Sequence, residues 1–209
     1  PRIVRKLANY YIEKGEELVS SASNPDAPSN ALQQALVFFE RAMEIDRGNE
    51  VAARSIHQTR IEQKRRDERE QTDREIVSAG ETALAEASTL MAQQKYGDAL
   101  KVYQKAVSLF DNVSSEFKAQ RDQAENGKKD AQGNMRKAIT EILSRGQSLI
   151  EEGQRKVEEA SSENDFEAAK KFFQDAQALL KYIPDDQSTA LVTSRDEEIA
   201  RARTSFEQV

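Results

Sequence analysis

The sequence contains few side chains whose type and spacing could support acid–base or metal chemistry. A histidine can serve as a general base or a metal ligand, but His57 is the only histidine and there is no cysteine to join it. The acidic pairs lie in polar stretches where nothing would raise a carboxyl pKa: Glu16-Glu17, Glu151-Glu152 and Asp185-Asp186. Phosphate-loop, zinc-protease, nucleophile-elbow and calcium-loop spacings are missing. We therefore predict a protein that is not an enzyme and has no catalytic, cofactor-binding or metal-binding residues.

The composition favours a helical chain that does not bind nucleic acid and does not insert into a membrane. Of the 209 residues, 33% are charged and 37% hydrophobic, with only 8 glycines and 4 prolines to interrupt helices. Disorder is the alternative interpretation of such a composition, but 31 basic residues nearly balance 37 acidic ones and apolar residues recur at helical spacing. A net charge of -6 disfavours nucleic-acid binding. No run of about 18 apolar residues could cross a membrane.

One short pattern occurs three times along the chain. Each copy has an alanine, an aromatic residue four positions later and a second alanine three positions after that. Offsets of four and three place such side chains on one face of a helix, so that a neighbouring helix can approach at the alanines while the ring fills the gap. The three copies are Ala35, Phe39, Ala42; Ala99, Tyr103, Ala106; and Ala169, Phe173, Ala176.

This stripe resembles the second helix of a tetratricopeptide repeat, a family of paired antiparallel helices. The segments 44–49 and 184–186 resemble the turn that follows that helix in the family. First helices of the family carry a large, a small and a large residue. The comparable positions here are Tyr11, Gly15, Leu18; Ala83, Ala87, Leu90; and Leu149, Gly153. In the third set Lys156 or Val157 replaces the usual aromatic. The resemblance implies an all-α fold, an elongated array of three helix pairs, in which the nine stripe residues are structural.

The resemblance does not extend to the carboxylate clamp of chaperone adaptors, which grip a terminal carboxylate with basic residues. The comparable stretch of the second copy, 81–90, supplies no base, and the third offers Arg155 and Lys156 among several glutamates. Loop-like stretches at 21–30 and 161–165 lengthen the first and third copies, and Asn30 could cap the helix that follows.

The spacing between copies is nearly double the family's period of about 34 residues. The first alanines lie at 35, 99 and 169, steps of 64 and 70. Either a degenerate helix pair separates the copies or the connecting helices are extended, and the lack of a further aromatic–alanine stripe favours extension. We expect a single domain over 1–209, with repeats at about 3–60, 76–125 and 138–208 and polar connectors at about 62–75 and 116–136.

The two connectors differ in the residues that could hold them helical. Opposite charges four positions apart could stabilise the first connector as a solvated helix, although a flexible charged linker is the alternative: Glu62–Arg66, Lys64–Glu68, Arg66–Glu70, Arg69–Asp73 and Glu70–Arg74. In the second connector Gly127 and Gly133 predict a kink or a break.

We predict a scaffold that binds other proteins along the surface of its first helices or between the long connectors, through apolar anchors in a shallow groove with a charged rim. The stretched repeats also resemble those preceding the ring-forming part of bacterial outer-membrane secretins of pilus or type II secretion machines. That resemblance implies a periplasmic module of a larger envelope assembly; otherwise we expect a cytoplasmic protein. Because the chain starts at Pro1 without methionine, we expect a fragment, whose flanking domains could mediate homo-oligomerisation. A rigid structural spacer is the alternative function.

Overall fold

The polar, alanine-rich segments of the sequence form helices in the computed structural model, which describes residues 2–22, 24, 27–28, 30–185 and 189–207. No strand occurs in these ranges, and the prediction of an all-α protein is confirmed. The helices are α1 (Arg2–Ser21), α2 (Ala31–Ile45), α3 (Glu50–Ala92), α4 (Tyr96–Asp111), α5 (Lys118–Glu159), α6 (Glu163–Leu180) and α7 (Thr189–Glu207).

Contacts divide the chain into two compact units. Unit 1 comprises Pro1–Ser78 and Asn112–Glu125, and unit 2 comprises Ala79–Asp111 and Asn126–Val209. The division falls inside α3 and inside α5, so each of these helices contributes a segment to both units. The prediction of three repeats within one domain stays a prediction.

The helix ends show which local signals the chain uses. Asn49 immediately precedes α3 and caps it, because its side-chain oxygen accepts a hydrogen bond from the amide of Ala52 (3.0 Å). Asn30 stands at the N-cap of α2 with φ -95° and ψ 11° and makes no side-chain capping bond, so its predicted capping role is wrong. Its backbone is near the helical region, whereas a capping side chain requires an extended residue. At the other end of α3, Gln94 adopts a positive φ of 60° and turns the chain towards α4.

Residues 62–75 and 118–136 are continuous helix, as the extension hypothesis predicts, and only the first two residues of the second connector precede α5. Helix α3 has 43 residues and includes all of 62–75, so neither a flexible linker nor a separate helix pair lies there. Helix α5 has 42 residues and passes through Gly127 and Gly133 without interruption, so the predicted break is wrong. Close packing explains the first glycine, because a Cβ at Gly127 would lie 2.4 Å from the ring of Phe110. A Cβ at Gly133 would have no neighbour within 4 Å, and the helix continues through this residue.

The core of unit 1 is formed by α1, α2 and the first turns of α3. Its main cluster consists of Ala8, Ile12, Ala35, Phe39, Ala42 and Ala52. A smaller cluster of Ala22, Ala31 and Leu32 lies where α1 ends and α2 begins. The residues between them that are predicted to form a loop are only partly described, because Ser23, Pro25, Asp26 and Ser29 lie outside the described residues.

The core of unit 2 is larger and more aliphatic. One cluster joins α3, α4, α5 and the end of α6 through Ala87, Ala99, Leu100, Tyr103, Met135, Ala138, Ile139, Ile142, Leu180 and Ile183. A second cluster joins α5, α6 and α7 through Ile150, Phe173, Ala176 and Ala202. The predicted loop at 161–165 is shorter than expected, since α6 already begins at Glu163. The turn predicted at 184–186 extends beyond the described residues at Asp186.

Candidate functional site

The residues of the three-copy stripe all lie in the interior. None is more than 2% exposed. Phe39 packs against Gly15 of α1, and Phe173 packs against Gly153 of α5, so closely that a Cβ on either glycine would lie 2.4 Å and 2.6 Å from the ring carbons. Tyr103 shares a cluster with Ala87 of α3, and its hydroxyl lies 3.4 Å from the hydroxyl of Ser88. The stripe residues are therefore packing groups rather than chemically reactive ones.

A groove lies above one of these packed pairs, between α1 and α3 of unit 1. Phe39 is its floor, and the hollow has a volume of about 630 Å³. Val19 on α1 and Ile61 on α3 supply apolar walls, and Ile61 is 41% exposed. The polar part of the lining consists of Glu16, Ser20, Ser55, Gln58, Thr59, Glu62 and Arg65. This is the accessible surface with the size and mixed lining that a peptide segment requires.

The spacing of the α3 residues explains how this wall forms. Ser55, Thr59 and Glu62 follow one another at intervals of four and three, which places them on one side of the helix. Two short hydroxyl side chains leave room between α3 and α1, while Thr59 itself is 4% exposed and closes the base of the wall. Sequence reasoning missed these three residues and Ile61, although their helical spacing was the available signal.

Charge is distributed unevenly around the groove. Glu16 makes no ion pair among the described residues, whereas Glu62 pairs with Arg69 at 3.0 Å. A second hollow of about 700 Å³ adjoins Glu16 on the outer side of α1, where Glu13, Glu17, Ser20 and Ser21 complete the lining. The α1 rim is therefore acidic, and Arg65 supplies a positive charge on the α3 rim.

A set of buried and partly exposed polar contacts joins the first connector to the end of α1 and to the segment that precedes α5 in unit 1. Arg66 donates to the carbonyl of Ala22 (3.0 Å), and its guanidinium lies 5.6 Å from the ring centre of Phe117. Arg69 donates twice to Glu116, at 2.9 and 3.0 Å. The nearby cavities, of about 200 and 450 Å³, are lined by these same paired groups. Arg66 and Arg69 have hydrogen-bond partners within the chain, so we assign these residues a structural role rather than a ligand-binding one.

Asp73 completes the same polar set. It is 4% exposed, and its carboxylate accepts hydrogen bonds from the backbone amide and the hydroxyl of Ser114. Of the five predicted helical ion pairs, Lys64–Glu68 (3.8 Å) and Glu70–Arg74 form. The other three are wrong because Arg66, Arg69 and Asp73 have tertiary partners instead.

The candidate chemical residues of the sequence are not brought together. His57 is exposed on α3 outside the groove, and Glu152 pairs with Arg155 at 3.8 Å while Lys156 pairs with Glu159 at 3.6 Å. Within the described ranges no group of three or more His, Cys, Asp or Glu side chains could hold a metal ion. None of the described helices is long and apolar enough to span a membrane.

Fold and groove define an all-helical protein with a peptide-sized hollow between two helices. No protein-family model matched the chain, and searches of curated proteins and of solved structures found no match either.

Proposed function

We propose that the chain is a non-enzymatic scaffold, built from tetratricopeptide-like repeats, that binds a segment of another protein between α1 and α3. The groove of about 630 Å³ over Phe39 is the observation that carries this proposal. It combines an apolar floor with the partly buried Val19, the exposed Ile61 and a charged rim, a combination typical of helix- or strand-binding grooves.

The lining of the groove defines the segment that it would accept. An apolar side chain of the partner would pack between Val19 and Ile61 and cover their exposed surface. A basic residue beside Glu16 and an acidic residue beside Arg65 would satisfy the two rims. The hydroxyl and amide groups of Ser55 and Gln58 offer hydrogen bonds to the backbone of the segment.

Selection of binding peptides from a displayed library, followed by affinity measurement in solution, tests the proposal. Ile61→Glu places a charge in the groove and should weaken the selected peptides at least tenfold. Val37→Glu is the matched control, because Val37 is a 64% exposed valine on α2 outside the groove lining. The proposal fails if no peptide binds, or if the selected peptides bind both variants and the unchanged chain equally.

A narrower form of the proposal is that the scaffold is the periplasmic module of a secretin or of another envelope assembly. It is supported only by the resemblance of the stretched repeat pattern. Expression of the complete protein in its native host, followed by protease treatment of spheroplasts, provides the test. Cleavage of this segment in spheroplasts would support an envelope location, and protection until lysis would exclude it.

A rigid spacer is the second candidate function, and the uninterrupted α3 and α5 helices favour it. A purely structural spacer should expose little apolar surface, yet Leu84, Met91 and Leu149 are only partly buried. Because the chain has no cysteine, spin labels can be placed at Lys64 and Glu86 alone. A narrow distance distribution near 33 Å, from about 1.5 Å per residue, would support the spacer. A broad distribution would exclude it.

A further inference from the structure

Helix α1 presents an apolar stripe to the solvent. Ile3 is 82% exposed, Leu7 46% and Tyr10 52%, and Val4 beside them is 45% exposed. Ile3, Leu7 and Tyr10 follow one another at intervals of four and three and therefore form one line along the helix. The buried positions Ala8, Ile12 and Gly15 occupy another side of the same helix. The stripe residues are therefore not part of the core of unit 1.

The charges beside this stripe are separated into two blocks. Arg2, Arg5 and Lys6 occupy the first half of α1, and Glu13, Glu16 and Glu17 occupy the second half. Arg2, Lys6, Glu13 and Glu17 share one side of the helix, next to the apolar stripe, since their spacings are four, seven and four. This arrangement opposes the helix dipole, which favours acidic residues at the start and basic residues at the end.

The basic block has no ion-pair partner among the residues that the structure describes. Neither Arg2, Arg5 nor Lys6 forms an ion pair with any described residue, whereas Glu17 pairs with Lys14 at 2.6 Å. The helix therefore carries unpaired positive charge at one end and excess negative charge at the other, along a stripe of exposed apolar side chains. A surface of this kind is complementary to itself when the second helix runs in the opposite direction.

We propose that two copies of this chain associate through antiparallel pairing of their α1 helices. In such a pair Leu7 of each copy lies opposite Tyr10 of the other, and the apolar stripes cover one another. Lys6 then lies opposite Glu13, and Arg2 lies opposite Glu17, in both halves of the interface. The contact is isologous, so it closes as a two-fold dimer rather than growing into a filament.

The charge blocks select the direction of pairing. A parallel arrangement would place Lys6 beside Lys6 and Glu13 beside Glu13, and like charges at facing positions repel. The antiparallel arrangement replaces both repulsions by attractions and also places the two helix dipoles antiparallel, side by side, which is favourable. The stripe has four apolar side chains, far fewer than the roughly 20–30 residues per partner of a standard stable interface. We therefore expect a reversible dimer with a dissociation constant above about 1 μM.

Sedimentation velocity of the 209-residue chain over a range of concentrations from micromolar to millimolar tests the dimer. The variant Arg2→Glu/Lys6→Glu makes all four charged positions beside the apolar stripe (2, 6, 13 and 17) acidic. The variant Glu13→Lys/Glu17→Lys makes all four basic. Each variant alone should remain monomeric at concentrations where the unchanged chain dimerises. An equimolar mixture should dimerise again, because every facing pair is then of opposite charge. Restoration in the mixture shows that the charged sides of the two helices face each other. Loss in each single variant identifies the antiparallel direction, because parallel pairing would already place like charges opposite one another in the unchanged chain.

Two controls separate the interface from general effects of charge and hydrophobicity. Lys105→Glu/Lys129→Glu changes the net charge by the same amount at exposed lysines of unit 2 and should leave the dimer unchanged. Leu7→Ser should abolish the dimer, whereas Val37→Ser on α2 should not. Circular dichroism establishes that each variant is folded, and Leu7→Ser keeps the test decisive if a charge variant unfolds. A chain that stays monomeric, reversals without effect, or a mixture that fails to associate would each overturn the proposal.

Discussion

Unit 1 and unit 2 are both helical, but they are held together by different kinds of buried side chain. All the buried polar or charged residues of the described chain, namely Thr59, Arg66, Asp73 and Gln120, belong to unit 1. The fully buried large side chains belong to unit 2 with the exception of Phe39: Leu100, Tyr103, Ile139, Ile142, Ile150, Phe173, Leu180 and Ile183. Unit 1 therefore combines buried polar contacts with its apolar core, whereas unit 2 is held together by apolar packing.

The difference teaches how a chain with little apolar material can still specify its structure. Apolar burial contributes most of the free energy of folding, but it is non-directional. A buried polar pair contributes little net free energy, yet leaving one partner unpaired is costly, so it favours one arrangement over its neighbours. Unit 1 uses this directionality where α3 meets the residues before α5. We therefore expect substitutions to have larger effects in the apolar core of unit 2 than in the polar contacts of unit 1.

Removal of an aliphatic side chain from the core of unit 2 should produce the largest effect. Ile142 is 0% exposed in the main cluster. Ile142→Ala should lower the free energy of unfolding by about 2–5 kcal/mol, through lost burial and the cavity left behind. Chemical denaturation monitored by circular dichroism measures the loss. Leu143→Ala at the partly buried neighbour is the control, and an equal loss there would contradict the assignment of this core.

Loss of a buried carboxylate from unit 1 should have an intermediate effect. Asp73→Ala leaves the amide and the hydroxyl of Ser114 without their acceptor. We expect the free energy of unfolding to fall by about 1.5–3 kcal/mol, the typical contribution of hydrogen bonds to a charged group. The exposed neighbour Asp67 provides the control substitution, Asp67→Ala. Hydrogen exchange should locate the change at residues 112–117, and unchanged exchange there would refute the role of Asp73.

These contacts mark the boundary of what sequence reasoning could predict. The stripe of Phe39, Tyr103 and Phe173 follows from spacing within a helix, and burial of such a face is a local consequence of its pattern. The partner of Arg66 is a carbonyl 44 residues away, at Ala22, which no spacing rule could identify. The spacing of opposite charges along α3 predicted ion pairs within a solvated helix. Arg66, Arg69 and Asp73 instead contact residues outside α3.

The groove was predictable to a similar extent. A shallow groove with apolar anchors and a charged rim was expected on the first helices, but its lining residues were not identified. Ser55 and Thr59 line it because α3 passes beside α1 at that point, which depends on how Phe39 fills the space against Gly15. Nor did the sequence distinguish Gly127 from Gly133, since a ring of α4 decides the role of the first.

Those two glycines of α5 sharpen the comparison by testing how tightly unit 2 is packed. Gly133→Ala adds a methyl group in open space and should raise the free energy of unfolding by up to about 1 kcal/mol, because alanine is the better helix former. Gly127→Ala should instead lower it by at least about 1 kcal/mol, since the methyl group would collide with Phe110. Thermal and urea unfolding of both variants measure the two signs. Stabilisation by both substitutions would show that the Phe110 ring yields easily.

The smallest effect on stability is expected at Asp165 of unit 2. Like Asp73 of unit 1 it accepts hydrogen bonds from a serine amide and hydroxyl, but Asp165 is exposed to solvent. Asp165 accepts hydrogen bonds from the amide of Ser162 (3.0 Å) and from its hydroxyl (2.8 Å), and also from the amide of Ser161 (3.1 Å). The Ser162 hydroxyl, followed by the backbone bonds, lowers the pKa of Asp165 below its ordinary value. A lowered pKa means that these bonds stabilise the start of α6 above the ordinary aspartate pKa and are lost as the pH falls through the lower folded value.

An NMR titration between neutral and strongly acidic pH checks this last expectation. The amide signals of Ser161 and Ser162 should shift together with the carboxyl signal of Asp165, at a midpoint below the ordinary aspartate range. Asp165→Asn should abolish the coupled shift, and its effect on global stability should be much smaller than that of Asp73→Asn, because solvent replaces the lost acceptor. Equal losses from the two substitutions would mean that burial does not distinguish these contacts, and the contrast between the two units would fail.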